Sequence, residues 1–388
     1  MKKFQKFMSY VVVAVLASII TLALNNQPQQ TVSRPQSKLD QLETLILEKF
    51  IGEADKTAME DAAAYAMIES LGDRWSYYIP AEEYSSYLDQ MNNSYVGIGV
   101  TIQVMEDGSG FLVTKVNEGG PADQAGMLPG DLMVAVDGTD VRGWEINAAS
   151  VLVKGEENTT VDLTVMREGE QITLTVTRML VITPVATAKM LEGSIGLVTI
   201  ANFDNRCADE TIAAIDSLLS QGAQKLIFDV RFNPGGYVHE LCQVLDHILP
   251  EGDLFRSVDY AGHESLEVSD EKCITGIPMA VLINGESYSA AEFFAAALRE
   301  YDYALIVGQN TTGKGYFQQT TRLVDGSAVG LSMGKYFTPK GVSLAEVGGL
   351  TPDVVVEVDE DVYLEIYSGI LDPMADPQIL AAIEALNK

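Results

Sequence analysis

The sequence predicts a multidomain α/β protein. It has an N-terminal anchor and helical region, a small β-rich module, and an α/β core in which helices cover a sheet. Three observations carry this. The chain has 388 residues, more than one average domain needs. Its apolar residues change period along the chain, from helical spacing after Lys38, to alternation from Tyr95 to about Arg178, to strand–helix alternation past Val181. Hydrophobic residues make up 47% and charged residues 21%, so each folded part can build a core.

Residues 1–24 differ from the rest. Lys2, Lys3 and Lys6 precede an uncharged stretch from Phe7 to Leu24, and nearly every residue from Val11 onward is apolar. That stretch lies at the lower limit of the roughly 20 residues needed to span a bilayer. Lysines on the near side predict a cytoplasmic amino terminus, a single-pass anchor in the cell membrane and an extracytoplasmic remainder. The alternative is secretion after signal cleavage, although no clean small-x-small site follows Ala23. Residues 25–37 are polar and proline-containing, which reads as a linker.

Charge and metal-ligand types narrow the function. Against 25 basic residues stand 55 acidic ones, a net charge of −30. Such a surface repels phosphate backbones, so nucleic acid is not an expected partner. Cys207, Cys242 and Cys273 match no zinc spacing and leave at least one cysteine unpaired in a monomer. His239, His247 and His263 form no metal motif, so no metal or cofactor is expected.

Residues 38–92 form the N-terminal helical region. Leu42, Ile46 and Phe50 recur at helical spacing, and Met59, Ala63, Ala66 and Met67 repeat the pattern. Trp75, Tyr77 and Tyr78 follow as an aromatic cluster, assigned to packing or a dimer contact. A short helical pattern then runs from Pro80 to Met91.

Residues 93–180 alternate in short runs, such as 110–116 and 160–166, with one helical insert at 145–153. Gly97 and Gly99 stand just ahead of a strand. Paired glycines let consecutive backbone N–H groups point into one hollow, able to hold a terminal carboxylate while a peptide adds to the sheet edge. Pro121 opens a one-turn helix that Gly126 ends, and Asp137-Gly138 reads as a hairpin turn. The series resembles a PDZ domain. The resemblance implies a peptide groove between the strand after Gly99 and the insert at 145–153, with contacts from Gly97, Ile98, Gly99 and Val100.

In residues 181–388 strands are expected at 195–200, 225–230, 278–283 and 304–307, and helices at 209–221, 237–248 and 290–299. Three segments carry chemistry. Ser289 sits at a strand-to-helix turn, where the helix amino end favours negative charge. Taken alone, Ser289 and Glu292 read as a Ser-x-x-Glu capping box. Lys314 lies between Gly313 and Gly315, and a lysine can activate a hydroxyl only when desolvation keeps it neutral. The 308–314 stretch lacks the Gly-Lys-Ser/Thr ending of a phosphate loop. Asn233-Pro-Gly-Gly236 closes a strand before a helix and leaves N–H groups able to stabilise an oxyanion.

Together these segments resemble the carboxyl-terminal processing, or tail-specific, peptidase family of Ser–Lys enzymes. The likeness runs from about Leu39 through Asp353 and takes in Asp325–Ala328 and Tyr336–Gly341. It implies that Ser289 is the nucleophile, that Lys314, 25 residues later, is the base, and that Gln318 holds the amine. The oxyanion donors would be the N–H groups of Ala290 and Gly235. Glu286 and Tyr288 replace smaller residues beside the nucleophile. His239 is expected to be a solvated helix residue. The family activity is endoproteolysis of protein substrates near a free carboxyl terminus through an acyl-enzyme, and analogy implies a homodimer. The competing reading is an inactive, PDZ-bearing scaffold. Intact Ser289, Lys314 and Gln318 count against it.

Overall fold

The structure, a computed structural model, describes residues 37–105, 107–274 and 276–388. The expected anchor at 1–24 and linker residues 25–36 lie outside the described residues. Among those described, no helix is long and apolar enough to cross a membrane. The chain divides into two units, Met1–Ser70 and Leu71–Lys388.

The described part of the first unit is two helices, Lys38–Lys49 and Lys56–Glu69. Ser37 opens the first with a reciprocal box: its hydroxyl accepts the Asp40 N–H at 3.1 Å, and the Asp40 carboxylate accepts the Ser37 N–H at 2.8 Å. Asp55 caps the second by accepting the Ala58 N–H. Lys56 pairs with Glu43 and Glu60. No residue of either helix is buried.

In the second unit the small module is an antiparallel sheet. Its strands run in the order Val100–Val104, Phe111–Val116, Leu132–Val136, Thr160–Arg167, Glu170–Thr177. Phe111, Val113, Met133, Leu163 and Val165 point inward at every second position and meet Ala149 of the helix Ile146–Val153. Asp137 and Gly138 both take positive φ, 46° and 75°, as a tight hairpin turn requires. Among the described residues Val100–Val104 pairs only with Phe111–Val116, which leaves its outer edge open.

The core sheet has six strands, in the order Ala186–Leu191, Ile195–Ile200, Lys225–Asp229, Met279–Ile283, Ala304–Gly308, Val354–Val355. The first pair is antiparallel and the others are parallel. Both faces are covered, so the central strands are apolar throughout, and all five residues of Met279–Ile283 are buried. Phe228, Val281 and Ile283 face the helices Cys207–Ser220, Val238–Ile248 and Ala290–Glu300. Ile227, Ala280 and Leu282 alternate with them and pack on Pro377–Leu386.

A further sheet of Tyr77–Ile79, Gly252–Asp259, Glu264–Ser269, Tyr316–Arg322 and Ala328–Phe337 has no counterpart in the sequence reading. Its strands are half solvated and rich in Gln, Thr, Ser and Gly, so they lack an apolar run. Tyr77–Ile79 pairs with Gly330, Val329 and Ala328. That pairing joins the segment holding the aromatic cluster to the sheet that follows Lys314.

Candidate active site

Ser289 follows the fully buried strand Met279–Ile283 and precedes the helix Ala290–Glu300. Its backbone, at φ 58° and ψ −122°, is one that side chains other than glycine rarely adopt. Such strain persists only where the surroundings over-determine it. Ser287 supplies part of that constraint. Fully buried, it donates from its hydroxyl to the Val230 carbonyl at 2.8 Å and accepts the Asn284 N–H at 3.0 Å. Gly235, at φ 93°, lies so close that a Cβ there would fall 2.7 Å from Ser289 Cβ and 2.9 Å from Ala290 N. Only glycine lets this turn rest on the serine.

Glu292 accepts the Ser289 N–H at 3.0 Å, which is the glutamate half of the expected capping box. The same carboxylate accepts the Thr311 hydroxyl at 2.6 Å, the Gly313 N–H at 2.9 Å and the Lys314 N–H at 2.6 Å. It therefore ties the serine turn to the lysine loop. Burial pushes its pKa up, and these four donors pull it back.

Lys314 lies between the strands Ala304–Gly308 and Tyr316–Arg322. Its Nζ stands 4.8 Å from the Trp75 ring centroid and 5.9 Å from that of Tyr288, and the two rings are 5.6 Å apart. Burial lowers the Lys314 pKa to about 8, against the opposing pull of Glu292 and Asp73. The Tyr336 hydroxyl donates to the Lys314 carbonyl and lines the same cavity as the Ser289 side chain.

Ser289, Ala290, Lys314, Gln318 and Gly235 line one cavity of about 820 Å³. Their hydrogen bonds differ from simple expectation in two places. The Gln318 amide donates to the Tyr316 carbonyl at 3.1 Å and to Ser332 Oγ at 3.0 Å, not to a group on Lys314. The Gly235 N–H donates to Asn233 Oδ1 at 2.8 Å. The Ala290 and Gly236 N–H groups donate to nothing among the described residues.

The four module residues lie elsewhere. Gly97 ends the strand Ser94–Gly97, Gly99 takes φ +75°, and Val100 begins the open-edged strand. The N–H groups of Ile98 and Gly99 donate to nothing among the described residues. The Ile98 side chain is buried in the module core, so the peptide contact expected of Ile98 falls to its backbone.

Trp75 adds a neighbour that the sequence did not place at the site. Read from sequence as packing or a dimer contact, it packs at a tilt against Tyr288 and lies over the lysine amine. Asp73 and Tyr336 also belong to this neighbourhood, and Tyr336 was visible in sequence only as part of a family motif. His239 is solvated and outside the cavity. The three cysteines are free, and burial pushes the Cys207 and Cys242 thiols up to about 12.

Comparison with known proteins places these features in a family. Residues 194–356 match the model of peptidase family S41, and residues 96–177 that of the PDZ domain. The carboxy-terminal processing protease CtpA of Bacillus subtilis is 31% identical over 369 residues, 92% of this chain and 78% of that protein. A probable CtpA-like serine protease of Staphylococcus aureus is 28% identical over 89% of this chain and 70% of its own length. Among solved structures, a putative S41 protease from Bacteroides fragilis shares the fold with a TM-score of 0.58 at 16% identity, covering 91% of this chain and 98% of that one. The photosystem II D1 C-terminal processing protease matches at 28% identity and a TM-score of 0.49, over 89% and 93% of the two chains. With its PDZ domain ahead of a serine-peptidase core, the chain belongs to peptidase family S41.

Proposed function

We propose that this peptidase is an endopeptidase that cuts protein substrates near their carboxyl termini by acyl transfer to Ser289. One observation carries the reading: a half-buried lysine, lowered to about 8, lines the same cavity as a serine in a strained strand-to-helix turn. Neutral Lys314 removes the hydroxyl proton as Ser289 Oγ attacks the peptide carbonyl. The carbonyl oxygen becomes an oxyanion facing the Ala290 N–H and the Gly235-Gly236 turn, with Gly235 the donor expected from the family pattern. The intermediate collapses, the C–N bond breaks, and the Lys314 ammonium returns its proton to the departing amine. Water then attacks the ester with Lys314 again as base, releasing the new carboxylic acid and free Ser289. Gln318 orients the amine once substrate entry reorganises its present bonds.

The small module selects the substrate. The N–H groups of Ile98 and Gly99 suit a terminal carboxylate, and the open edge at Val100 suits an added strand. Residues 1–24 tether the chain to the cell membrane with the catalytic part outside, or else direct secretion. The names of the relatives agree with a carboxy-terminal processing role. The chain acts as a homodimer by analogy with the family.

The test is digestion of an unstructured protein and of peptides with native ends by the full chain and by Ser289→Ala. The native protein should cut near carboxyl termini and form a covalent adduct at Ser289. Undiminished cutting by Ser289→Ala would overturn the assignment. Absence of cutting by both would return the scaffold reading.

A further inference from the structure

The cavity holding Ser289 is also lined by Asp204, a residue that the mechanism does not use. Asp204 is only 6% exposed. It is fixed beside the catalytic turn by its neighbour: the Phe203 N–H donates to the Gly235 carbonyl at 2.7 Å, and the Phe203 carbonyl accepts the Tyr237 N–H at 2.7 Å. The Asp204 N–H goes to Asn202 Oδ1 at 3.0 Å. Its carboxyl group accepts no hydrogen bond from any described residue. Buried carboxylates are normally paired or hydrogen-bonded, because desolvation without a partner is costly.

The surroundings supply no cation. Arg206, two residues on, is held by Glu210 at 2.6 Å and by the carbonyls of Thr183 and Asn93. From the helix Val238–Ile248, Glu240 faces Asp204 and repels it, and its own carboxylate accepts the Ala208 N–H at 2.7 Å. His239 stands 3.5 Å from Glu240 but is solvated. The Cys207 thiol and the Tyr237 phenol feel Asp204, and Tyr84 and Tyr87 act on Tyr237 in turn; none carries positive charge. Val238, Leu241, Phe255 and Phe293 give the same cavity an apolar wall.

We propose that Asp204 forms a substrate subsite for a cationic side chain, an ammonium or guanidinium on a residue near the scissile bond. The apolar wall takes the aliphatic stem, and the carboxylate takes the charged head. The inference rests on the peptidase reading above and adds a preference that depends on pH. Burial, with Glu240 beside it, raises the Asp204 pKa to about 7. Below that value the carboxyl group is neutral and discriminates weakly. Above it the anion favours lysine or arginine, which stay protonated to about pH 10 and beyond.

The test uses N-acetylated peptides that differ only in carrying Lys, Met or Glu at one position flanking the scissile bond. Pairs compete for the full chain in one tube at about pH 6 and about pH 8.5, on either side of the carboxyl titration. Because both peptides meet the same enzyme, the ratio of their kcat/KM values cancels the ionisation of Lys314. At one position the Lys/Met ratio should rise about tenfold between the two pH values, the factor that ~1.4 kcal/mol supplies. In Asp204→Asn, and in Asp204→Ser as a second variant, the ratio should be flat. A native ratio that does not change with pH at any position, or a rise that survives in both variants, would overturn the subsite. Binding of the same peptides to Ser289→Ala reads the subsite without turnover. A pH-dependent Lys preference there, with no cleavage by the native chain, would leave the subsite standing and sink the peptidase reading instead.

Discussion

The serine and the lysine reach one cavity by different physical means. Ser289 belongs to a strand–turn–helix unit in which Met279–Ile283 is wholly buried and Ala290 to Leu298 of the helix are buried on every side. Apolar packing of that unit holds it, braced by the buried Ser287 hydroxyl and by the Glu292 carboxylate that accepts its N–H. Lys314 sits in a loop with no such support. Its backbone hangs on Glu292 and Tyr336, and its amine rests against Trp75 and Tyr288. The proposed nucleophile is thus set chiefly by burial and the proposed base by polar and aromatic contacts. Changes of charge and pH should act on the base, and changes of volume or buried polarity on the nucleophile.

The largest effects should come from the reacting groups. Ser289→Ala should remove essentially all turnover while leaving the fold and tail binding intact, checked by thermal melting and peptide binding. Lys314→Arg should be nearly as damaging as Lys314→Ala, because arginine keeps its charge but does not deprotonate in a protein. Substantial activity in Lys314→Arg would mean that the lysine only neutralises charge.

Glu292 comes next. Glu292→Gln keeps the shape but leaves one acceptor oxygen and adds two donors facing Thr311, Gly313 and Lys314. It should lower kcat on the order of tenfold to a hundredfold, the cost of breaking a buried charge-assisted set. A lysine loop and a serine turn that keep their places without this carboxylate would make Glu292→Gln nearly silent in steady-state kinetics.

Ser287→Ala probes the other side. It leaves the Val230 carbonyl and the Asn284 N–H short of a partner in a fully buried place, so it should destabilise the chain by about 1–3 kcal/mol. The pH dependence of the folded enzyme should not move. The smallest effect should lie in the PDZ domain. Amidating a peptide's carboxyl terminus should lower its affinity about tenfold, since a charge-assisted hydrogen bond is worth ~1.5–3 kcal/mol. Equal binding of acid and amide in a direct titration would remove the carboxylate grip.

The same contrast decides what was legible in the sequence. The serine turn was readable because the run from Met279 to Ile283 and the apolar helix after it announce themselves locally. Asp137-Gly138 and Gly99 were readable for the same reason, since a positive φ restricts residue type at one position. Glu292 was half readable: Ser-x-x-Glu gives its bond to Ser289, but its bonds to Thr311, Gly313 and Lys314 depend on a loop that no local pattern places. Trp75 reads as a packing residue, but its partners were not legible because Tyr288 and Lys314 are distant in sequence, and the strand pairing of Tyr77 with Gly330 leaves no periodic trace. Strands such as Tyr316–Arg322 stayed hidden because their polar, half-solvated residues imitate loops.

The central claim is that Lys314 works as a neutral base because its loop keeps it desolvated. The most direct measurement is the pH dependence of kcat/KM for one peptide that lacks ionisable side chains. The lysine must lose its proton to act, so the rate should climb with pH through a single ionisation near 8, the value to which burial lowers Lys314. A rate already at its plateau well below that pH, with no ionisation on its alkaline approach, would contradict the account.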